Sequence, residues 1–232
     1  MIFLIFSTAH LFSSDISTNL NGIWVDSIYL SRLKATLSPR TAFLPLPELV
    51  AIQLNSSIKN LQFSLNFHEG LDANYDKIDK KGLLSPSDRW PNSIKTIAMQ
   101  NSKLIVISID STVNSKQIFE KVTNDTGNTY RIFSKIIGSL TIRGKYRDSL
   151  DHKYIFKNEF VEWNGKIRKY FIEADYVEFT PLDVICFEDS AGRCNESYGY
   201  ITNGNLFQMY EYNDYTKRIG KLYIELFKDQ KQ

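Results

Sequence analysis

The sequence predicts an all-β protein, an antiparallel up-and-down barrel with one short N-terminal helix. The first observation is strict alternation: every second residue is large and apolar in Leu61-Gln62-Phe63-Ser64-Leu65-Asn66-Phe67. Successive side chains of a strand point to opposite faces, so this pattern gives the strand one apolar and one polar face. The second is turn chemistry, because Asn164-Gly165 and Asn203-Gly204 separate strand patterns and suit tight hairpin turns. About twelve short strands joined in this way favour a barrel or sandwich, and barrel closure removes exposed strand edges.

The composition is that of a folded globular protein. The chain has 232 residues, of which 43% are hydrophobic and 23% charged. Its 15 Phe, 13 Tyr and 3 Trp residues suit half-buried strands. Lys and Arg number 28 against 26 Asp and Glu, which gives no basic excess and argues against a nucleic-acid partner. Because no linker rich in Gly, Ser or Pro divides the chain, residues 15–232 are expected to form a single barrel domain.

The first 14 residues combine a short apolar run with small residues, as in a secretory signal peptide. The run is too short for a membrane span, which needs about 20 apolar residues. No Lys or Arg precedes Arg32, so the basic front end of a signal peptide is missing. The alternatives are a true start further upstream or an apolar first strand. We expect export to the periplasm, the outer envelope or the medium, and no transmembrane span.

The two cysteines, Cys186 and Cys194, flank a turn that contains Asp189, Ser190 and Gly192. The two thiols are expected to face each other across a hairpin and to form a disulfide in an exported protein. The alternative is a pair of reduced thiols. Two cysteines without a nearby histidine cannot complete a four-ligand zinc site, so no metal site is predicted.

One helix is predicted near the N-terminus. Asp26 or Ser27 can cap its first turn, Pro39 ends it, and apolar residues between them follow helical spacing. We expect this helix to close one end of the β-structure.

Two later segments are harder to assign. The segment 68–92 has weak periodicity and is predicted to be a long loop, with a short strand within it as the alternative. Residues 129–136 are predicted as a strand, and a further strand is predicted where apolar or glycine residues alternate with polar ones. These alternating residues are Gly138, Leu140, Ile142, Gly144 and Tyr146.

The run Asn21-Gly22-Ile23-Trp24 resembles the lipocalin family and the wider calycin-like barrels, whose first strand commonly opens with Gly-x-Trp. The early helix is similar to that of bacterial lipocalin-like proteins of unknown function. This resemblance implies that Trp24 closes one end of a barrel beneath a basic side chain from near the last strand. Arg218 precedes the final strand pattern and is the residue matched to that role. An ordinary core position for Trp24 is the alternative.

No catalytic pattern stands out. The three histidines, His10, His68 and His152, lack metal-binding or catalytic spacing, and there is no nucleophile elbow or phosphate-binding loop. Several carboxylates leave an acid–base enzyme as a third hypothesis, because sequence does not give their separations. They are Glu159, Glu162, Glu173, Asp175 and Glu178. We predict a protein that is not an enzyme and has no cofactor.

The first functional hypothesis is a barrel that binds a small apolar or amphipathic ligand in its interior. Its wall residues would be Phe63, Leu65, Leu140, Ile142 and Tyr146. The alternative is an envelope or secreted interaction protein with a filled core, which contacts a protein partner through loops 68–92 and 186–196. An aromatic run suits either stacking on a sugar or ring ligand, or cross-strand packing. It comprises Tyr198, Tyr200, Phe207, Tyr210 and Tyr212.

Overall fold

The computed structural model describes residues 20–44, 49–64, 70–87, 93–110, 113–174 and 181–229. Within these ranges the strands form two closed eight-stranded barrels, in which antiparallel neighbours follow one another along the chain. This confirms the prediction of an all-β antiparallel barrel fold. The sequence pattern predicted one barrel rather than two, because tight turns indicate which strands are neighbours but not where a meander closes on itself. The predicted signal peptide, residues 1–14, lies outside the described ranges.

Barrel 1 is built from the first half of the chain, and its interior is mainly aliphatic. Its buried side chains include Ile52, Leu54, Leu61, Phe63, Ile97, Leu104, Val106 and Phe119. Its strands are β1 Gly22–Asp26, β2 Ala51–Asn55, β3 Asn60–Ser64, β4 Gly70–Ile78, β5 Leu83–Pro86, β6 Ile94–Gln100, β7 Lys103–Asp110 and β8 Val113–Thr123.

The segment predicted as a long loop, residues 68–92, contributes β4 and β5 to the wall of barrel 1. The loop prediction was therefore wrong for the described part of that segment. Only Ala73 and Tyr75 of β4 are buried, between exposed polar residues, so the apolar alternation is too short to recognise as a strand.

Barrel 2 is built from the C-terminal part of the chain. Its strands are β9 Gly144–Arg147, β10 Lys153–Phe156, β11 Phe160–Trp163, β12 Lys166–Ile172, β13 Asp183–Glu188, β14 Cys194–Asn203, β15 Leu206–Asn213 and β16 Arg218–Lys228. It closes where β16 pairs with β9, with Phe227 opposite Arg147. The predicted Asn164-Gly165 turn joins β11 to β12, and both residues have positive φ angles, as a type I′ turn requires.

Helix α1, Ser27–Thr36, confirms the predicted N-terminal helix. The Asp26 carboxylate caps it by accepting a hydrogen bond from the Tyr29 backbone N–H, with an N–O distance of 2.8 Å. A short helix, α2, Pro39–Phe43, follows and packs against α1. Both helices belong to the same compact unit as barrel 2.

Two hydrogen bonds fix this helical segment to one end of barrel 2. The Arg40 backbone N–H donates to the Asp183 carboxylate at 2.9 Å, at the start of β13. The Thr202 hydroxyl donates to the Leu37 carbonyl at 2.9 Å, near the end of β14. The helix therefore covers one end of a β-barrel, as the sequence predicts.

A third helix, α3, Thr129–Thr141, replaces the strands predicted for residues 129–136 and for the alternation that begins at Gly138. Its Ile132, Phe133 and Ile137 are buried, and the Asn128 side chain caps its first turn. The prediction failed because β-branched residues at these positions fit the apolar period of a strand as well as one face of a helix. Leu140 consequently lies on a helix rather than on a barrel wall.

Candidate functional site

The most distinctive group of side chains lies at the end of barrel 2 opposite the helices. We call it the Arg168 cluster, and its members come from five strands. They are Trp163 of β11, Arg168 of β12, Phe187 of β13, Glu196 and Tyr198 of β14, and Tyr223 of β16. The pleat turns the first five inward, whereas Tyr223 lies where the β15–β16 register is irregular.

The four aromatic rings of the Arg168 cluster form a closed circuit. Trp163 contacts Phe187 with ring centroids 5.8 Å apart, and Phe187 contacts Tyr198 at the same distance. Tyr198 and Tyr223 approach to 4.4 Å, and Tyr223 returns to Trp163 at 6.0 Å. Three of these contacts are edge-to-face, the arrangement that aromatic quadrupoles favour. The circuit holds Tyr223 in a defined position although 44% of this residue is exposed.

Arg168 lies over two of these rings. Its guanidinium carbon is 4.3 Å from the Phe187 centroid and 5.4 Å from the Trp163 centroid. Its Nη2 donates to Glu196 Oε2 at 2.7 Å, and the Tyr198 hydroxyl donates to the same oxygen at 3.3 Å. Burial, followed by a hydrogen bond with Tyr223, raises the pKa of Tyr198 well above its usual value. The cluster therefore combines a cation, an anion and two phenol rings.

A second group of hydrogen-bonded polar side chains adjoins the cluster through Tyr154, whose ring centroid is 5.4 Å from that of Trp163. The Tyr154 hydroxyl and the His152 ring both hydrogen-bond to Asp148 Oδ2, each at 2.9 Å. Burial, then the bond to Asp148, raises the pKa of Tyr154 to about 12. Asp148 also accepts from the backbone N–H groups of Leu150 and His152, so its role is to shape the β9–β10 turn.

The interior of barrel 2 between the helices and the Arg168 cluster is packed with aromatic rings. Tyr200 contacts Phe207, Phe207 contacts Phe156, and Phe156 contacts Tyr170, at centroid distances of 5.6, 5.2 and 5.8 Å. Tyr170 then contacts Phe187 of the cluster at 6.5 Å. Successive rings thus connect one end of the barrel to the other.

The helix-covered end of barrel 2 contains a buried carboxylate, Asp183. Burial and then the nearby Asp183 charge raise the pKa values of Tyr29 and Tyr200 well above their usual value. These phenols stay neutral under ordinary conditions. Because Asp183 accepts from the Arg40 backbone, this group fixes the helices to the barrel, and we assign it a structural role.

The ligand-binding residues predicted from sequence are distributed over both barrels and helix α3. Phe63 is buried in barrel 1, whereas Tyr146 is buried in β9 of barrel 2. Leu140 lies on α3, and Ile142 is the C-cap residue of that helix and is buried. Leu65 lies outside the described ranges.

Trp24 is buried in barrel 1, and its indole N–H donates to the Leu20 carbonyl at 2.9 Å. The cation over its ring is Lys121 of β8, with Nζ 5.6 Å from the centroid. Burial lowers the pKa of Lys121. Arg218, the residue matched to this role from the sequence, begins the last strand of barrel 2. The resemblance to lipocalins places the basic residue near the last strand of the barrel, and this chain has one last strand for each of its two barrels.

Barrel 2 repeats this arrangement around Tyr146. Its first strand opens with Gly144-Lys145-Tyr146, as that of barrel 1 opens with Gly22-Ile23-Trp24. The Tyr146 hydroxyl donates to the Ile142 carbonyl, four residues earlier, at 2.9 Å. Lys228, in the last strand, places Nζ 5.8 Å from the Tyr146 centroid. Both barrels thus join an aromatic residue of the first strand to a lysine of the last.

The β13–β14 hairpin is braced at both sides. Cys186 and Cys194 form the predicted disulfide, with a Cα–Cα distance of 5.6 Å. Arg131 of α3 pairs with Glu188 and also donates to the Gly192 carbonyl at 2.9 Å. The turn between these anchors is held in one place.

Two carboxylates of the enzyme hypothesis have partners in the described ranges. Glu159 pairs with Lys135, and Glu173 accepts from the Tyr130 hydroxyl. Asp175 and Glu178 lie outside the described ranges. Within those ranges, no group of three or more His, Cys, Asp or Glu side chains is placed to hold a metal ion.

Sequence reasoning included Tyr198 in an aromatic run but missed Trp163, Arg168 and Tyr223. The sequence does carry a signal for Arg168: it stands at every-second-residue spacing from Tyr170 and Ile172, so the three side chains share the inward face of β12.

None of the helices in the described part of the chain is long and apolar enough to span a membrane. No protein-family model matches the sequence, and neither a curated protein nor a solved structure matches it.

Proposed function

We propose that this protein is a non-catalytic binding protein, and that barrel 2 binds a small amphipathic ligand over the Arg168 cluster. The observation that carries the proposal is the partly exposed Tyr223 ring beside the Arg168–Glu196 pair. A ring face and a polar pair side by side suit a ligand that has one apolar face and one polar edge. A binding role needs no reacting group.

The ring packing of barrel 2 supports binding at the end that carries the Arg168 cluster, which we call the mouth, rather than deep in the interior. Phe156, Phe207 and Tyr170 occupy the space that a lipocalin-type ligand would need. Relationship to the lipocalin-like barrels is part of the proposal. It is supported by the paired closing contacts of Trp24 with Lys121 and of Tyr146 with Lys228.

Export is also part of the proposal, and the Cys186–Cys194 disulfide supports it. Disulfides persist in oxidising compartments and are rare where thiols are kept reduced. The periplasm, the outer envelope and the medium of a cell all meet this condition.

The experiment is a titration with 8-anilinonaphthalene-1-sulfonate, an amphipathic ring probe whose fluorescence rises on binding. Tyr223→Ala is expected to weaken binding about tenfold, equivalent to about 1.4 kcal/mol. The matched control is Tyr215→Ala, which removes a fully exposed phenol from the β15–β16 turn of the same barrel. Equal affinities in wild type and Tyr223→Ala would refute binding at the mouth. Recovery of the probe unchanged by mass spectrometry tests the non-catalytic part.

A second candidate function is favoured by the braced hairpin: recognition of a protein partner through residues 189–193. Ser190, Ala191 and Arg193 are exposed, while the disulfide and Arg131 fix the turn on which they lie. Rigid scaffolds commonly carry recognition on such loops. A photocrosslinker at Ser190 should give one discrete adduct in source cells, and the same group at Ser149 should not. Identical adduct patterns from both positions would contradict this candidate.

A further inference from the structure

We infer that the ligand of the Arg168 cluster is an uncharged saccharide, whose apolar ring face packs on Tyr223 while its hydroxyls bind Arg168 and Glu196. This inference rests on the proposed function and narrows it to one chemical class. Three features of the cluster carry it: the fixed aromatic platform, the joined donor and acceptor groups, and the balance of charge at the rim.

The platform is the Tyr223 ring. Tyr223 as a residue is 44% exposed, and its ring packs against Tyr198 and Trp163 at centroid distances of 4.4 and 6.0 Å. Pyranoses with equatorial substituents direct their axial C–H bonds to the two ring faces, which makes those faces apolar. Such C–H groups are weakly positive and suit the electron-rich face of a phenol. Binding costs little entropy because the ring is already positioned.

The polar groups beside the platform match a pair of neighbouring hydroxyls. Glu196 accepts hydrogen bonds only, and Arg168 donates only. Their side chains are 41% and 30% exposed, so both can reach a ligand while they remain paired at 2.7 Å. A vicinal diol can donate from one hydroxyl to the carboxylate and accept at the other from the guanidinium. Hydrogen bonds to charged groups are stronger than those between neutral groups, which gives the pair selectivity for hydroxyl-rich ligands.

The charged residues on inward register positions at this end of barrel 2 are of both signs. Cross-strand pairing places Lys166 opposite Trp163 and Arg168 opposite Val161, on inward-facing positions of β12. It places Glu211 opposite Tyr198, also on an inward-facing register. Two cations, Lys166 and Arg168, and two anions, Glu196 and Glu211, thus occupy inward-facing register positions at this end of the barrel. A charged amphiphile gains no net attraction from such a rim, whereas an uncharged polyol loses nothing.

The test is isothermal titration calorimetry of the full chain with cellohexaose and chitohexaose, whose β-1,4-linked units have equatorial substituents. At least one of these saccharides should bind, with Kd in the range of about 10 μM to 1 mM. Changing NaCl from about 50 to 500 mM should alter Kd less than about twofold, because the ligand is uncharged. Absence of heat with both saccharides, in protein whose circular dichroism shows intact β-structure, would overturn the inference.

Variants locate the site and separate this inference from the proposed function. Tyr223→Ala should weaken saccharide binding about tenfold, whereas Tyr223→Phe, which keeps the ring, should retain most of it. Tyr215→Ala is the matched control and should bind as wild type does. Saccharide binding that is unaffected by Tyr223→Ala would overturn the assignment. If anilinonaphthalene sulfonate binds in a Tyr223-dependent way but neither saccharide binds, only the saccharide class is overturned. If the wild-type protein binds neither the probe nor a saccharide, the proposed function is overturned as well.

Discussion

Replacing Trp24 by alanine tests the contact that closes barrel 1. The side chain is 1% exposed, so the substitution removes a fully packed indole and leaves a cavity. Truncating a buried Trp in this way costs about 3–5 kcal/mol of unfolding free energy. The Leu20 carbonyl would also lose the donor that reaches it at 2.9 Å. We therefore expect a loss of about 4 kcal/mol, most of it from packing.

Two further variants separate the components of this loss. Trp24→Phe keeps most of the apolar volume but removes the indole donor, and should cost about 1–2 kcal/mol. Lys121→Met keeps the length of the side chain but removes the cation over the ring, and should cost about 0.5–2 kcal/mol. Packing is thus expected to exceed both the hydrogen bond and the cation–π contact.

The assay is urea unfolding followed by far-ultraviolet circular dichroism, since the substitution removes a fluorescent reporter. With an m-value of about 2 kcal/mol/M, a loss of 4 kcal/mol lowers the midpoint by about 2 M. If unfolding shows more than one transition, the shift is taken from the transition whose midpoint differs between wild type and variant. An unchanged midpoint for Trp24→Ala, or an equal shift for Lys121→Met, would refute the argument that indole packing dominates.

Two other predictions concern barrel 2. Reducing the Cys186–Cys194 disulfide should lower the unfolding free energy by about 2–3 kcal/mol, the chain-entropy value for so short a loop. The control is the Cys186→Ala/Cys194→Ala variant, whose unfolding midpoint should not respond to reductant. A wild-type midpoint that does not shift on reduction would contradict the predicted stabilisation. Burial opposes ionisation of Asp148, but hydrogen bonds from His152 and Tyr154 outweigh it and lower the pKa to about 2. Because that value lies below the unfolded one, the stabilisation is present above about pH 4 and is lost as the pH falls towards 2. The melting-temperature difference between wild type and Asp148→Asn should shrink over that interval, and a constant difference would count against the assignment.

Local patterns were sufficient where one segment determines its own structure. The alternation from Leu61 to Ser64 is strand β3, and the capping residue Asp26 starts α1 where the sequence placed it. The turn between Cys186 and Cys194 brings the two thiols together because a hairpin needs only its own residues.

The sequence pattern did not predict features that depend on contacts between residues far apart in the chain. Helix α3 was mistaken for strands because the period of its isoleucines suits both, and packing against β12 decides between them. Arg168 was missed because a cation on an inward strand position is stabilised only by residues from other strands, here Phe187 and Glu196. Lys121 was missed because identifying the basic neighbour of Trp24 requires knowing which strand completes barrel 1.

The closure of barrel 2 has a consequence for biosynthesis. Arg147 of β9 pairs with Phe227 of β16, and about 80 residues separate them along the chain. At about 5–20 residues per second, a ribosome needs about 4–16 s to supply the second strand after the first. During that interval one edge of β9 has no strand beside it, and such an edge is prone to pair with other chains. A newly made chain is therefore most in need of chaperone protection just before its last strand emerges.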